Sequence, residues 1–425
     1  MRSFQRDGAL EAWTTVALVF LFMLINFADK AVMGLASVPI MDDLGLSHEQ
    51  FGLLGSAFFL LFSLSGVAVG FLANRIDTKP LMGVMALVWG GALLLPSVAA
   101  TFQALLASRV ILGAAEGPAF PVAMHCVYKW FADQRRALPT SVVASGAAFG
   151  AGVMAPLITW IISHHGWHAA FAILGVVGLA WAVSWALLAQ EGPLAVPAAV
   201  GTGGAGPGVS IPYRRLLLSR TALGVFIGGF AAYWIIALNL VWLANYLVKV
   251  VRLPPAQAAW VITVPSIVQM MLAPACAQVS QILTRRGWSS RISRGLLGAL
   301  CVILGGVSLA SVPLASARMV EIGLIGLSFS IGSVMFTLGT TLIGEISPTA
   351  QRGAMLGITN SIHTLAGLCA PFMMGLLVDV NSDPAAGFRA GFVYAGILVA
   401  LLGTAAAVLI DPEAELRNLQ SNRHF

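Results

Sequence analysis

The sequence predicts an all-α membrane protein with twelve transmembrane helices in two pseudo-symmetric six-helix bundles. Three observations carry that prediction. Of the 425 residues, 58% are hydrophobic and only 9% are charged, whereas a soluble globular chain carries about 25% charged residues. Apolar runs recur from Trp13 to Ile410, many of them reaching the roughly 20 residues that a bilayer-crossing helix needs. Related fragments also return at matching places in two halves. This composition argues against a soluble enzyme, a nucleic-acid binder and a secreted disulfide scaffold.

Charges, prolines and glycines cut the apolar sequence into spans near 13–38, 52–73, 81–100, 103–128, 139–163 and 169–190, then 220–247, 257–283, 294–315, 319–343, 354–378 and 390–410. The domain reading is a tail (1–12), a bundle (13–190), a linker (191–219), a second bundle (220–410) and a second tail (411–425). Gly192 to Ser210 is rich in Gly, Ala and Pro and free of charge, as a flexible linker should be. An even number of spans puts both termini on one side. Seventeen of the 23 Lys and Arg residues fall on that side, four fall opposite, and Lys30 and Arg109 lie within spans. The positive-inside rule then makes both termini cytoplasmic, which explains the net charge of +6 without a nucleic-acid partner. The expected location is the cell inner (plasma) membrane. Met1 to Trp13 is polar and the first apolar run is too long for a signal-peptide core, so no cleaved leader is expected. Cys126, Cys276, Cys301 and Cys369 all fall in spans and read as packing residues.

The two halves echo each other. Gln134-Arg135-Arg136-Ala137 follows span four, with Ala155-Pro156-Leu157 about twenty residues later. Gln351-Arg352-Gly353-Ala354 follows span ten, with Ala370-Pro371-Phe372 likewise about twenty residues later. A duplicated six-span unit is a transporter signature, because two similar bundles can rock about a shared site. Gly146 and Gly150 stand four apart in span five, a spacing that lets helices approach closely.

Four ionisable groups lie at bilayer depth, where such groups are costly and therefore functional by default: Asp29 and Lys30 in span one, Arg109 and Glu116 in span four. Asp29 lies sixteen residues past Trp13, roughly 24 Å along a helix, and Arg109 six residues past Gln103, roughly 9 Å along the descending one. Both counts place Asp29, Lys30 and Arg109 at one level. Glu116 follows seven residues after Arg109, on the same face and about 10 Å nearer the cytoplasm. The simplest arrangement pairs Asp29 with Arg109 and leaves Lys30 facing a central cavity. A free cation there attracts an anion, and two carboxylates beside cations can couple proton uptake to it. Structural salt bridges are the competing reading.

These features resemble the major facilitator superfamily along essentially the whole chain. The family's signature loop, Gly-x-Leu-Ala-Asp-Arg-x-Gly-Arg-Arg, is similar to Gly70-Phe71-Leu72-Ala73-Asn74-Arg75-Ile76-Asp77-Thr78-Lys79. The resemblance makes Gly70, Asn74, Arg75 and Lys79 a cytoplasmic gate motif, with Asn74 and Gln281 standing where the family often has Asp. Arg109 to Pro121 resembles the fourth-span motif of the anion:cation symporter branch, which includes sugar-acid and aromatic-acid importers, sialin and the vesicular glutamate transporters. Asn26-Phe27-Ala28-Asp29-Lys30 resembles that branch's Asn-Tyr-x-Asp-Arg, with Lys in place of Arg. The resemblance implies that Lys30 contacts a substrate carboxylate and Arg109 organises the charges of the substrate site. Asp29 and Glu116 would carry protons.

The second half shows polar stripes instead: Asn239, Trp242 and Tyr246; Ser330, Ser333, Thr337 and Thr341; Asn360 and His363. Asn239 and Asn360 are expected to hydrogen-bond the uncharged part of the substrate, and the serines and threonines to serve helix packing. His125 and His363 read as packed, and His164, His165 and His168 as part of a turn rather than a metal site. The predicted function is proton-coupled symport of an organic anion, such as a sugar acid or aromatic acid, by alternating access. Partners are the anion, protons and the bilayer; no cofactor or metal is implied, and a monomer is expected. A proton-driven exporter or an anion exchanger or uniporter is the alternative. Exporters usually carry Gly-Pro-x-x-Gly-Gly in span five, and Ala155-Pro156-Leu157-Ile158-Thr159-Trp160 lacks it. A membrane sensor or membrane enzyme is more remote, since no nucleophile–base pair, phosphate loop or soluble domain is apparent.

Overall fold

The computed structural model describes residues 2–72, 76–131, 135–193, 211–348 and 351–421. Asn74, Arg75 and most of the linker (194–210) lie outside the described residues. Among the described residues the chain is helical, with no strand. Among the described residues ten helices are long and apolar enough to cross a membrane. One of them, Ala155–Leu188, runs through Gly166, whose φ of 80° and ψ of 165° break the helix and divide the fifth span from the sixth. His48–Leu72 supplies the second span. The twelve expected spans are therefore all present.

Local chemistry sets where they start. Thr101 caps its helix by accepting from Ala104 N at 3.2 Å, Ser219 from Ala222 N at 3.2 Å, and Asp383 from Ala385 N at 3.1 Å. Each satisfies a backbone donor that the first helical turn leaves open. Pro384 follows Asp383 at the first helical position, where its missing N–H costs nothing. Span four breaks directly after Glu116, at Gly117 and Pro118, because proline cannot donate the next helical hydrogen bond.

The described residues form two compact units. The first comprises residues 1–204 with Leu240–Val248 and Leu253–Thr263; the second comprises 205–239, 249–252 and 264–425. In the first, Gly146 and Gly150 press against span one, as their spacing predicted. A Cβ on Gly146 would stand 2.6 Å from Phe20 O, and one on Gly150 would overlap Leu24 O. Gly113 and Gly117 likewise admit the backbone of span two at Phe58 and Phe62. These contacts pack span five against the helix that carries Asp29 and span two against the helix that carries Glu116.

Span seven departs from the expected regular helix. Arg220–Leu238 is α-helical, but Asn239–Leu243 and Tyr246–Val250 are π-turns. A π-turn spends more residues per turn than the 3.6 assumed from sequence, so the single-face stripe of Asn239, Trp242 and Tyr246 does not form. Trp242 and Tyr246 are fully buried whereas Asn239 is half-buried.

In the second unit, Ser330 donates to Pro265 O (3.2 Å) and Gly326 O (2.7 Å), Ser333 to Ser330 O, and Thr341 to Thr337 O. These hydroxyls join helices and bond their own backbone, as a packing role requires. His363 is buried and donates from Nε2 to Val225 O at 3.1 Å. Each unit also closes on itself through a carboxylate just past its last span. Glu191 accepts from Lys79 N (2.6 Å), from Thr78 Oγ1 and from Lys129 Nζ (2.8 Å). Glu413 accepts from Ser290 N and, at 3.3 Å, from Arg291 N.

Candidate functional site

Asp29, Lys30, Arg109 and Glu116 are all buried, with exposures of 1%, 7%, 2% and 1%. Spans one and four thus bring two cations and two carboxylates into one part of the first unit, as the sequence predicted. Their pairing differs. Lys30 Nζ lies 2.8 Å from Glu116 Oε2, 2.5 Å from Asn26 Oδ1 and 3.3 Å from Asn26 O. Among the described residues no ion pair joins Asp29 to Arg109. The reason lies in side-chain direction. Helical side chains lean toward the N-terminus of their helix, so the four-carbon arm of Lys30 runs back one turn to Asn26. That is the direction in which Glu116 lies, displaced along the bundle from Arg109.

Lys30 is therefore not the free cation expected. Its ammonium also sits among three aromatic rings, 4.5 Å from the Phe27 centroid, 5.7 Å from Phe58 and 5.4 Å from Phe62. Such ring faces attract a cation more strongly when water is excluded. The Arg109 guanidinium lies 5.6 Å from the centre of the Phe171 ring in span six.

The cluster is under-satisfied. Asn26 Nδ2, Asp29 Oδ2, Arg109 Nε and Nη2, and both Glu116 oxygens are buried without a hydrogen bond. The Lys30–Glu116 contact is close, yet its angles do not make it an aligned hydrogen bond. Buried polar groups are ordinarily hydrogen-bonded, and each exception asks for an explanation. Here a pocket adjoins them, with about 300 Å³ of atom-free space including its open mouth. Lys30 and Met33 of span one, Gly55, Phe58 and Phe59 of span two, and Arg109 of span four line it. Leu240 and Val241 complete the lining, and both belong to the first unit.

Asn239 and Asn360 lie in the second unit, the former half-buried and the latter exposed. Neither lines this pocket. Of the gate motif, Gly70 lies on the His48–Leu72 helix, while Lys79 is half-buried and held through its backbone. His164 Nδ1 donates to Trp160 O at 2.9 Å, and His168 Nε2 stands 3.9 Å from Asp43 Oδ2.

Sequence reasoning missed Asn26 as the partner of Lys30, although the i, i−4 spacing signals it. It missed the phenylalanines, which in an apolar helix look like any lipid-facing residue. It also assigned Glu191 to the linker. Burial pushes the Glu191 carboxyl up, but the bonds from Lys129, the Lys79 N–H and Thr78 outweigh it and hold the group below the ordinary carboxylate value.

Comparison with known proteins fits this architecture. The family model described as the Major Facilitator Superfamily matches residues 18–335 and 225–424. The chain is 24% identical over 422 residues to the D-galactonate transporter of Escherichia coli, covering 94% of this chain and 95% of the relative. It is 25% identical over 404 residues to the hexuronate transporter of Bacillus subtilis, covering 93% and 94%. In fold it is similar to a bacterial homolog of the human lysosomal transporter Spinster, solved in an inward-facing, unoccupied conformation. The TM-score there is 0.77 at 17% identity, over 95% of this chain and 97% of that one. A duplicated twelve-span fold, matched in both halves and covered nearly end to end by such relatives, makes this chain a multi-pass membrane transporter, not an enzyme, and a member of the Major Facilitator Superfamily.

Proposed function

We propose that the protein is a proton-coupled symporter that imports an organic anion, a carboxylate, by alternating access across a bacterial inner membrane. The observation that carries this reading is the ion pair of Lys30 with Glu116, beside a pocket that Lys30 and Arg109 both line. With both carboxylates ionised, the four buried charges sum to zero. An incoming carboxylate adds one negative charge, and an uncompensated buried charge is expensive. Protonation of one acid restores neutrality. If the proton goes to Glu116, the same event releases Lys30 from its partner and makes it available to the substrate. One proton thus accompanies one carboxylate.

In this reading Lys30 grips the substrate and Arg109 holds the charge network in place. Glu116 is the coupling acid, and Asp29 a second proton site. Asn239 and Asn360 hydrogen-bond the far, uncharged end of the substrate, and Gly70, Asn74, Arg75 and Lys79 form a gate. Both termini are cytoplasmic, and the carrier works as a monomer. The similarity to transporters named for galactonate and hexuronate supports an anionic substrate.

The test is uptake of radiolabelled carboxylates into proteoliposomes containing the purified protein. Accumulation should require an inward proton gradient and collapse on adding a protonophore. Accumulation that is indifferent to the gradient would refute proton coupling.

A further inference from the structure

The relatives are named for acids whose carbon chains carry a hydroxyl at nearly every position, and the pocket in this chain is poorly suited to such a body. Lys30 and Arg109 are the only charged or hydrogen-bonding side chains that line it among the described residues. The rest of the wall is Met33, Gly55, Phe58, Phe59, Leu240 and Val241. Gly55 adds no polar side-chain atom. The Leu240 carbonyl does not face the pocket freely either, because it is pressed onto Gly34, where a Cβ would overlap it. Within the charge cluster, unpartnered polar atoms belong to Asn26, Asp29, Arg109 and Glu116. They are the charge cluster itself, which the substrate carboxylate and the proton occupy.

We infer that the substrate is a monocarboxylate whose carbons next to the carboxylate are apolar, aromatic or branched aliphatic, and not a polyhydroxylated sugar acid. The inference rests on the anion-binding reading above and narrows its substrate class. Two physical arguments carry it. A hydroxyl set against Phe58, Phe59, Leu240 or Val241 would lose its water and gain no partner, which weakens binding. An apolar pocket discriminates against an added hydroxyl by up to roughly a hundredfold, and sugar acids carry several. The phenylalanines also supply what an aromatic body wants, since ring pairs prefer offset or edge-on contact. The charge count favours a single carboxylate, because a second would need a further proton beside the first.

The experiment is a thermal-shift and calorimetric titration of the purified full chain, in detergent, with two series of probes. One series is benzoate, phenylacetate and 3-methylbutanoate; the other is galactonate and glucuronate. The best apolar acid should bind at least tenfold more tightly than either sugar acid, and Lys30→Ala should abolish that binding. Leu240→Asn should narrow the gap by improving the sugar acids, a shift that misfolding cannot produce. Equal or tighter Lys30-dependent binding of galactonate or glucuronate would overturn the inference and leave the anion-symport reading intact. Absence of Lys30-dependent binding in both series would overturn the two together.

Discussion

Replacing Glu116 by Gln separates coupling from binding. The substitution keeps the shape and an acceptor oxygen but fixes the position in the neutral state. In the wild type, Lys30 Nζ and Glu116 Oε2 are 2.8 Å apart. At an effective dielectric constant of 20 their Coulomb attraction is roughly 6 kcal/mol. Even half of that amounts to about two decades of affinity. A substrate carboxylate therefore binds almost only when Glu116 is protonated, and apparent affinity follows the protonated fraction. With one proton taken up per carboxylate, wild-type affinity should fall as the pH rises, by at most about tenfold per pH unit. In Glu116→Gln that slope should vanish, because Lys30 faces no charged partner at position 116 and keeps its contacts to Asn26 and the phenylalanine rings at every pH. Counterflow exchange should persist in proteoliposomes, while accumulation driven by a proton gradient is lost. The assay pairs calorimetric titration over three pH units with the two transport modes. A slope that survives in the glutamine variant would refute the argument and move the coupling proton to Asp29.

Three further outcomes are expected. Lys30→Ala should abolish substrate binding while the protein still elutes as a folded species in size-exclusion chromatography, and Lys30→Arg should bind measurably, since the charge survives with altered geometry. Arg109→Ala should eliminate transport and also shift the pH response, because the buried cluster loses one of its two positive charges; an effect on affinity alone, with pH dependence intact, would contradict a network role. Glu191→Gln should lower stability above the ordinary carboxylate range by about 1–2 kcal/mol, allowing for its partial exposure. The sign follows from a lowered folded-state pKa: the stabilisation is present above the ordinary carboxylate value and is lost as the pH falls through the lowered one. Melting curves of wild type and variant should therefore converge in acid.

The fold was legible because its signal is redundant. Each span needs only enough apolar length, and each boundary is marked by a charge, a proline or a cap such as Thr101, Ser219 or Asp383. The membership of the charge cluster was legible for a related reason: an ionisable residue amid twenty apolar ones has few ways to be accommodated. The pairing within it was not. Helix rise places Cα atoms, and by Cα level Lys30 belongs with Arg109. A side chain as long as lysine's can reverse that assignment by folding back one turn, which it does toward Asn26 and Glu116. The π-turns at Asn239 and Tyr246 were invisible because a face read at 3.6 residues per turn presupposes the regularity that they interrupt. The ring cage escaped for want of contrast, since Phe27, Phe58 and Phe62 look like any other apolar residue of a membrane helix.

The two carboxylates that follow the sixth and twelfth spans carry a consequence for the order in which the protein is made. Glu191 reaches back across more than one hundred residues to Thr78 and Lys79, and Glu413 across a similar distance to Ser290 and Arg291. Each therefore ties a residue just past its half's sixth helix to the beginning of that half's third helix. During synthesis neither tie can close until all six helices of its unit have left the ribosome. The first can close before the second bundle has emerged, consistent with domains folding as units from the N-terminus. A nascent chain ending at Gln190 would hold six helices and an open end at Thr78. One residue later the same chain has its closing carboxylate, and the second half repeats the event when Glu413 arrives.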